Sequence, residues 1–230
     1  MEESNGSVGE RLTETIYGQL RQDILFGVYD AEQKMRLDAL RGRYDVSVNT
    51  IREVLSRLAS DGLVVVEGQR GFSIAPLTVA DLKDITETRI LLESQAVRLS
   101  LAVADLHWEG EVMAAHYRLA KAEELADQDH SRYRSLLEQY DCEFHRTIIS
   151  GCRSPWILRF HATIYDHMLR YRSIAHKRVT SEQVSAMLLR SQRDHIILRD
   201  AALSKNSEQL VELLQNHIRK GEQFARFYTS

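Results

Sequence analysis

The chain has 230 residues, of which 43% are hydrophobic, so it is long enough to form two domains with buried cores. Its formal net charge is −3, which does not indicate a broadly basic surface for nucleic acid. No apolar run reaches the roughly 20 residues of a membrane helix, and the polar N-terminus is unlike a signal peptide. Two cysteines, Cys142 and Cys152, are too few for a disulfide-based fold, so we expect a cytoplasmic protein with reduced thiols.

Residues 1–76 have the pattern of a winged helix-turn-helix domain. A stripe of apolar side chains predicts a first helix over residues 12–25. A short second helix is expected over residues 35–45. Ser47 is a candidate N-cap for a third helix that begins at residue 48 and ends just before Gly62.

A β-hairpin and a change to purely helical patterns complete the expected architecture. Valines precede the segment EGQRG, and Phe72 and Ile74 follow it, which predicts a hairpin with a glycine-containing turn. Pro76 marks the only proline-containing break before the second half of the chain, so we place the domain boundary there. Residues 77–230 are assigned to an all-helical bundle. Its helices are expected at residues 78–103, 108–128, 131–151, 155–177, 181–203 and 207–227. The predicted fold class is therefore mainly α.

The third helix has the polar and apolar faces that a DNA-recognition helix needs. Such a helix reaches base edges and phosphates from its polar N-terminal end, while an apolar flank packs on its own domain. The candidate DNA contacts lie before this helix, at its start and at the hairpin tip: Arg41, Arg43, Ser47, Asn49, Thr50, Arg52, Gln69, Arg70 and Gly71. An ordinary amphipathic helix with solvated polar residues is the alternative, but the hairpin that follows favours DNA binding.

Residues 47–72, SVNTIREVLSRLASDGLVVVEGQRGF, resemble the DNA-binding segment of the GntR family of bacterial regulators. The matching positions are Ile51, Arg52, Glu53, Leu55, Leu58, Gly62, Leu63 and Gly71. The chain departs from the family pattern at Val48, where arginine is usual, and at Val54, where alanine is common. Because the missing arginine is a typical base contact, the family's usual operator does not carry over to this chain.

The second half places one aspartate and three histidines on the apolar sides of predicted helices. Asp141 and His145 are four residues apart and so share one helical face. His195 and His217 lie among apolar residues of two further helices, where burying an imidazole is costly unless something bonds to it. Helical bundles build metal centres in this way, and these donors suit zinc, with nickel or manganese as alternatives. A surface contact or a buried hydrogen bond is the alternative for the Asp141–His145 pair.

The segments YDCEFHRTII, RDHIILRDAALSKN and LLQNHI are similar to the ligand-binding domain of the FadR branch of GntR regulators, the type called FCD. In that family, an aspartate, a histidine four residues later and two later histidines hold a metal ion. The resemblance therefore implies the ligand set Asp141, His145, His195 and His217. In this chain, as in the family, the winged helix precedes the ligand-binding domain. The resemblance therefore extends over nearly the whole chain.

A sensor fits these features better than an enzyme, because no HExxH or GxSxG motif accompanies the candidate metal ligands. Arg89 lies on the apolar side of its predicted helix, and its forked donors match a carboxylate effector. A surface salt bridge of Arg89 with Glu87 or Glu93 is the alternative. The alternatives to a sensor are a metal-dependent hydrolase and a helical interaction protein with structural histidines.

The expected protein is a homodimeric, DNA-binding regulator, a repressor that a small carboxylate effector releases from its operator. One recognition helix reads only a few base pairs, so a two-fold dimer on a palindromic operator in double-stranded DNA is the usual solution.

Overall fold

A computed structural model of the chain describes residues 3–68 and 71–227. The chain divides into two compact units, one ending at Thr78 and the other beginning at Val79, close to Pro76 in the sequence. The first unit combines three helices with a small sheet, and the described part of the second is helical throughout. The predicted mainly α fold class is therefore confirmed. Gln69 and Arg70, two of the expected DNA contacts, lie outside the described residues.

The first unit is a winged helix-turn-helix domain. Its elements, in chain order, are α1 (Glu3–Leu25), β1 (Lys34–Met35), α2 (Leu37–Tyr44), α3 (Val48–Ser60), β2 (Val64–Val66) and β3 (Phe72–Ile74). Strand β3 lies between β1 and β2 and pairs antiparallel with both. The β2–β3 hairpin was expected, whereas β1 was not, because two residues are too few to show a strand pattern. Met35 therefore pairs with Phe72 in the sheet instead of starting α2.

Helix α3 is held in place by its N-cap and by its apolar face. The backbone N–H of Thr50 donates a hydrogen bond to the Ser47 hydroxyl at 3.1 Å, which fixes the start of the helix. Just past its end, Gly62 has a φ of 74°, a left-handed conformation that glycine adopts without strain. The fully buried side chains of α3 are Ile51, Val54, Leu55 and Leu58.

The second unit is a bundle in which α4 packs against α7 and α9, while α5 packs against α6 and α8. Its helices are α4 (Val79–Leu101), α5 (Leu106–Gln128), α6 (His130–Ile149), α7 (Pro155–His176), α8 (Ser181–Leu203) and α9 (Ser207–Phe227), with a 3-10 turn at Ser150–Cys152. N-terminal capping residues fix where three of these helices begin. Asp105 caps α5, Ser154 caps α7 just before Pro155, and Thr180 forms a capping box with Gln183 at the start of α8. In the described part of the chain, no helix is long and apolar enough to cross a membrane.

The interior of the bundle contains charged and imidazole side chains as well as apolar ones. Leucine, valine, alanine and isoleucine side chains from α4, α5, α6, α8 and α9 form most of the core. The buried ionisable side chains are Arg89, Glu93, His116, Glu123, Glu138, Asp141, His145, His161, Arg170 and His195. Because burying a charge or an imidazole is unfavourable without partners, these residues are where a functional site is expected.

Candidate metal site and DNA-binding surface

The structure brings together the four candidate metal ligands from three helices. Asp141 and His145 lie on α6, His195 on α8 and His217 on α9. The ligand atoms of the three histidines all lie within 4.8 Å of one another. Asp141 Oδ1 is 3.3 Å from His195 Nε2 and 3.9 Å from His145 Nε2.

The unsatisfied nitrogens of this cluster fit a bound divalent ion. Both ring nitrogens of His145 and the Nε2 of His195 are buried and have no hydrogen-bond partner among the described residues. A buried polar atom without a partner costs about 1–3 kcal/mol, so several at one place favour a ligand there. Three imidazoles and one carboxylate are a donor set that zinc and similar ions accept.

Neighbouring charges hold Asp141 in its ionised form, and burial holds two of the histidines in their neutral form. Burial raises the pKa of Asp141, but the guanidinium of Arg172 and the nearby histidines outweigh this effect and hold the pKa well below its usual value. Burial lowers the pKa of His217 to about 3 and also lowers that of His145. The neutral imidazole is the form that binds a metal ion, because its free lone pair is the ligand.

His195 behaves differently because carboxylates lie closer to both of its ring nitrogens than they do in His145, at 2.8 Å from Nδ1 and 3.3 Å from Nε2. Burial lowers its pKa, but the carboxylates of Asp141 and Glu123 outweigh burial and raise the pKa to about 9. The site therefore favours a positive charge at this position. A divalent ion between His195 and Asp141 would supply that charge in place of the proton.

Asp141 is oriented by Tyr165 and Arg172, which were not among the expected metal ligands. Its Oδ2 accepts a hydrogen bond from the Tyr165 hydroxyl and another from Arg172 Nη1 at 2.9 Å. Arg172 Nη2 also lies 2.6 Å from Glu138 Oε2. With Oδ2 occupied in this way, Oδ1 is the oxygen that faces the histidines.

Arg89 is paired with Glu93 in the core of the bundle. Arg89 is 4% exposed, and its Nε donates a hydrogen bond to Glu93 Oε1 at 2.6 Å. Its Nη2 is buried and has no hydrogen-bond partner among the described residues. The salt bridge that the sequence allowed as an alternative is therefore present, but it is buried and not on the surface.

Glu93 connects the candidate effector arginine with the candidate metal ligands. Besides its bond to Arg89, Oε1 lies 2.8 Å from His161 Nε2, while Oε2 lies 3.5 Å from His145 Nδ1. Burial raises the pKa of Glu93, but Arg89 and the two histidines outweigh it and bring the pKa well below its usual value. Glu93 is therefore a buried anion shared by Arg89, His145 and His161.

A cavity of about 810 Å³ lies beside the histidine cluster. Its polar wall includes Arg89, Asp141, Arg172, His195 and His217. Its apolar wall includes Leu137, Met168, Met187, Ile218 and Phe224. Pockets for small organic ligands are typically about 300–1,000 Å³ and combine apolar walls with a few convergent polar groups, so this cavity fits such a ligand.

The start of α3 presents polar side chains away from the core of the first unit. Asn49 and Arg52 are exposed, and Thr50 is partly buried beside the capping Ser47. These side chains surround the N-terminal end of the helix, the end that contacts base edges in helix-turn-helix proteins.

The other described DNA-contact candidates differ in how free they are to bind. Arg41 is exposed on α2. Arg43 donates hydrogen bonds to Asp23 at 2.7 Å and to the Tyr29 hydroxyl at 2.8 Å, so its guanidinium is already used within the unit. Gly71 has a φ of 99° just before β3, a conformation that favours glycine in the wing turn.

Residues 12–74 match the family described as bacterial regulatory proteins, gntR family, and residues 84–220 match the FCD domain. The chain belongs to the GntR family and carries an FCD domain. This GntR-family protein is a transcriptional regulator, and its winged helix is a DNA-binding domain. The family membership that the sequence suggested is thereby confirmed.

Two curated bacterial relatives resemble this GntR regulator over most of its length. The chain is 36% identical over 211 residues to the HTH-type transcriptional regulator BphR of Paraburkholderia xenovorans, covering 90% of this chain and 82% of that protein. It is 30% identical over 206 residues to the HTH-type transcriptional repressor GlaR of Escherichia coli, covering 88% and 90% respectively.

Solved structures agree with the fold of the regulator. The Escherichia coli protein McbR/YncC superposes with a TM-score of 0.75 at 16% identity, covering 93% of this chain and 96% of that one. A transcriptional regulator GntR from Rhodococcus sp. RHA1, described as putative, superposes with a TM-score of 0.70 at 22% identity and the same coverage. At these identities the likeness supports the fold alone.

The buried Arg89–Glu93 pair leads to a prediction about stability. Replacing Glu93 with alanine leaves the Arg89 guanidinium buried without its carboxylate, and arginine cannot lose its charge. We expect the free energy of unfolding to fall by about 3–5 kcal/mol, measured by chemical denaturation. Glu87→Ala on the same helix removes an exposed pair with Arg219 and should change stability little. Equal effects of the two substitutions would contradict a special role for the buried pair.

Proposed function

We propose that this regulator is a repressor whose operator affinity is controlled by a small organic acid bound at a metal site in the FCD domain. The observation that carries the proposal is the cavity whose wall contains Arg89, Asp141, His195 and His217 together. Asp141, His145, His195 and His217 would hold zinc, or alternatively nickel or manganese. When bound, such an ion accepts a carboxylate oxygen as a further ligand.

Arg89 would bind the same carboxylate of the acid or a second acidic end. Glu93 holds the guanidinium through Nε, while Nη2 has no hydrogen-bond partner among the described residues. The guanidinium of Arg172 is a poorer anchor, because its Nη1 and Nη2 already lie against Asp141 and Glu138. A carboxylate that accepts a hydrogen bond from Arg89 Nη2 would satisfy this buried donor, which favours binding.

The acid can regulate transcription only if it binds one state of the protein better than another. A coupling of roughly 1–3 kcal/mol between the effector and the operator would change operator affinity about 5- to 150-fold. We infer that the regulator binds a palindromic operator as a homodimer, because one α3 helix reads only a few base pairs. The repressor role is supported by the relative GlaR, which is named a transcriptional repressor.

A metal-dependent hydrolase is less well supported than a regulator. The chain matches families and relatives of transcriptional regulators. Apart from the candidate ligand Asp141, the carboxylates beside the clustered histidines are Glu93, Glu123 and Asp194. Each is hydrogen-bonded to a histidine, which leaves it poorly placed as a general base.

The first experiment tests DNA recognition by α3. Arg52→Ala should weaken binding to an operator selected by the wild-type protein from random DNA, by about 1–3 kcal/mol, because Arg52 is exposed at the N-terminal end of the helix. Binding is measured by fluorescence anisotropy at fixed salt. Arg57→Ala removes the same charge from the same helix at a residue paired with Glu14, and should have a smaller effect. Unchanged affinity of the Arg52 variant would show that α3 is not the recognition helix.

The second experiment tests the metal. Protein purified without chelators should contain about one divalent ion per chain, and removing it should lower the melting temperature, because a ligand of the folded state alone stabilises that state. His195→Ala and His217→Ala should lower metal content and melting temperature together. His107→Ala, an exposed histidine, should lower neither. Protein that is free of metal and binds none of zinc, nickel or manganese would rule the site out.

The third experiment tests the acid. A thermal-shift screen of monocarboxylates, dicarboxylates and aromatic acids should yield acids that stabilise the metal-loaded protein and weaken operator binding. Arg89→Lys keeps a positive charge beside Glu93 but removes the forked donors, so the response should need a higher concentration of the acid. Arg98→Lys, at an exposed position of the same helix, should respond like the wild type. An unchanged response in the Arg89 variant would exclude Arg89 as the anchor.

A further inference from the structure

Each of the three clustered histidines has a carboxylate beside its Nδ1 atom that is not one of the candidate ligands. The closest contact is between His195 Nδ1 and Glu123 Oε1, at 2.8 Å. His217 Nδ1 lies 3.3 Å from Asp194 Oδ2. Glu93 Oε2 lies 3.5 Å from His145 Nδ1.

In His195 and His145 the opposite ring nitrogen faces the candidate ligand Asp141. The Nε2 atoms of His195 and His145 lie 3.3 Å and 3.9 Å from Asp141 Oδ1. A neutral imidazole carries its proton on one nitrogen and its lone pair on the other. A carboxylate that accepts a hydrogen bond from Nδ1–H therefore leaves the lone pair on Nε2, directed at the position where a metal ion would bind.

Among the three carboxylates, Glu123 is the one whose burial is best explained by its contact with a histidine of the cluster. It is 2% exposed and lies on α5, a helix that contributes none of the candidate ligands. Its neighbours on the buried side of α5 are Leu119, Ala122 and Ala126, so an apolar residue would continue the core there. Burying a carboxylate is unfavourable unless a partner compensates it. The hydrogen bond to His195 supplies such a partner for Glu123.

We propose that Glu123 and Asp194 are positioning residues that fix the tautomer and ring orientation of His195 and His217 for metal binding. The inference rests on the proposed function, because it requires a metal ion in the cluster. Asp194 also accepts hydrogen bonds from Lys220, the shorter at 2.7 Å, so its charge is compensated from α9, the helix that carries His217. Glu123 has the shorter and more buried contact and should have the larger effect.

Glu93 is a poor residue for testing this role. It also binds Arg89 and His161, so its removal would disturb the core independently of any metal. Substitutions of Glu123 and Asp194 distinguish an effect on metal binding from an effect on folding more clearly. Glu123→Gln keeps the size and a carbonyl acceptor while removing the charge, and Glu123→Leu removes the acceptor as well.

The experiment measures zinc affinity of the full chain by competition with a chelator of known affinity, after the protein has been freed of metal. Glu123→Leu should lower the affinity about 10- to 100-fold, and Glu123→Gln should lower it less, because it retains an acceptor for Nδ1–H. Asp194→Asn should give a smaller loss, in keeping with its longer contact. The matched control is Glu124→Gln, the next residue on α5, which pairs with Lys121 at the surface and should leave zinc affinity unchanged.

Melting of the metal-free proteins separates positioning from folding. Metal-free Glu123→Gln should melt close to the wild type while its zinc-bound form gains less stability. If the leucine variant fails to fold, the glutamine variant alone decides the result. Equal zinc affinity of Glu123→Gln and the wild type, or an equal loss in Glu124→Gln, would overturn the positioning role and leave the metal site standing. A wild-type chain that binds no zinc, nickel or manganese would instead overturn the proposed function.

Discussion

The FCD domain depends on the pairing of charges that are buried among its helices. Removing a carboxylate or guanidinium from water costs several kcal/mol, so such groups remain buried only when opposite charges and hydrogen bonds compensate them. Glu93 compensates Arg89, and Arg172 lies against both Asp141 and Glu138. Arg172 joins α7 to α6, and Glu93 also joins α4 to α7 through His161, so the helix arrangement and the electrostatics of the site are fixed together.

The same pairing makes the candidate metal and effector positions contiguous. Glu93 touches Arg89 with one oxygen and approaches His145 with the other. Asp141 faces His195 with one oxygen and binds Arg172 and Tyr165 with the other. A ligand that moved Arg89 would therefore also disturb Glu93, the carboxylate that lies beside the candidate metal ligand His145. Through this contiguity the proposed organic acid would bias the arrangement of the helices.

We propose that the DNA-binding domain binds DNA through individual exposed side chains instead of an overall positive charge. The chain carries 30 basic and 33 acidic side chains, so bulk attraction to phosphate contributes little. Arg52 and Asn49 are exposed at the start of α3, whereas Arg43 is held by Asp23 and Tyr29. Valine at position 48, where arginine is usual in the family, further narrows the set of contacts that can select an operator.

The sequence by itself determined the helices, the winged-helix order and the histidines of the candidate site. Helix caps, the spacing of apolar residues and the four-residue interval between Asp141 and His145 are local features of the chain, so the sequence shows them directly. It did not reveal β1, whose two residues take their conformation from pairing with β3. Only the tertiary structure decided that Arg89 is buried against Glu93 and that Glu123 lies behind His195. Glu123 and His195 are 72 residues apart in the chain, and no local pattern records which side chains meet when distant helices pack.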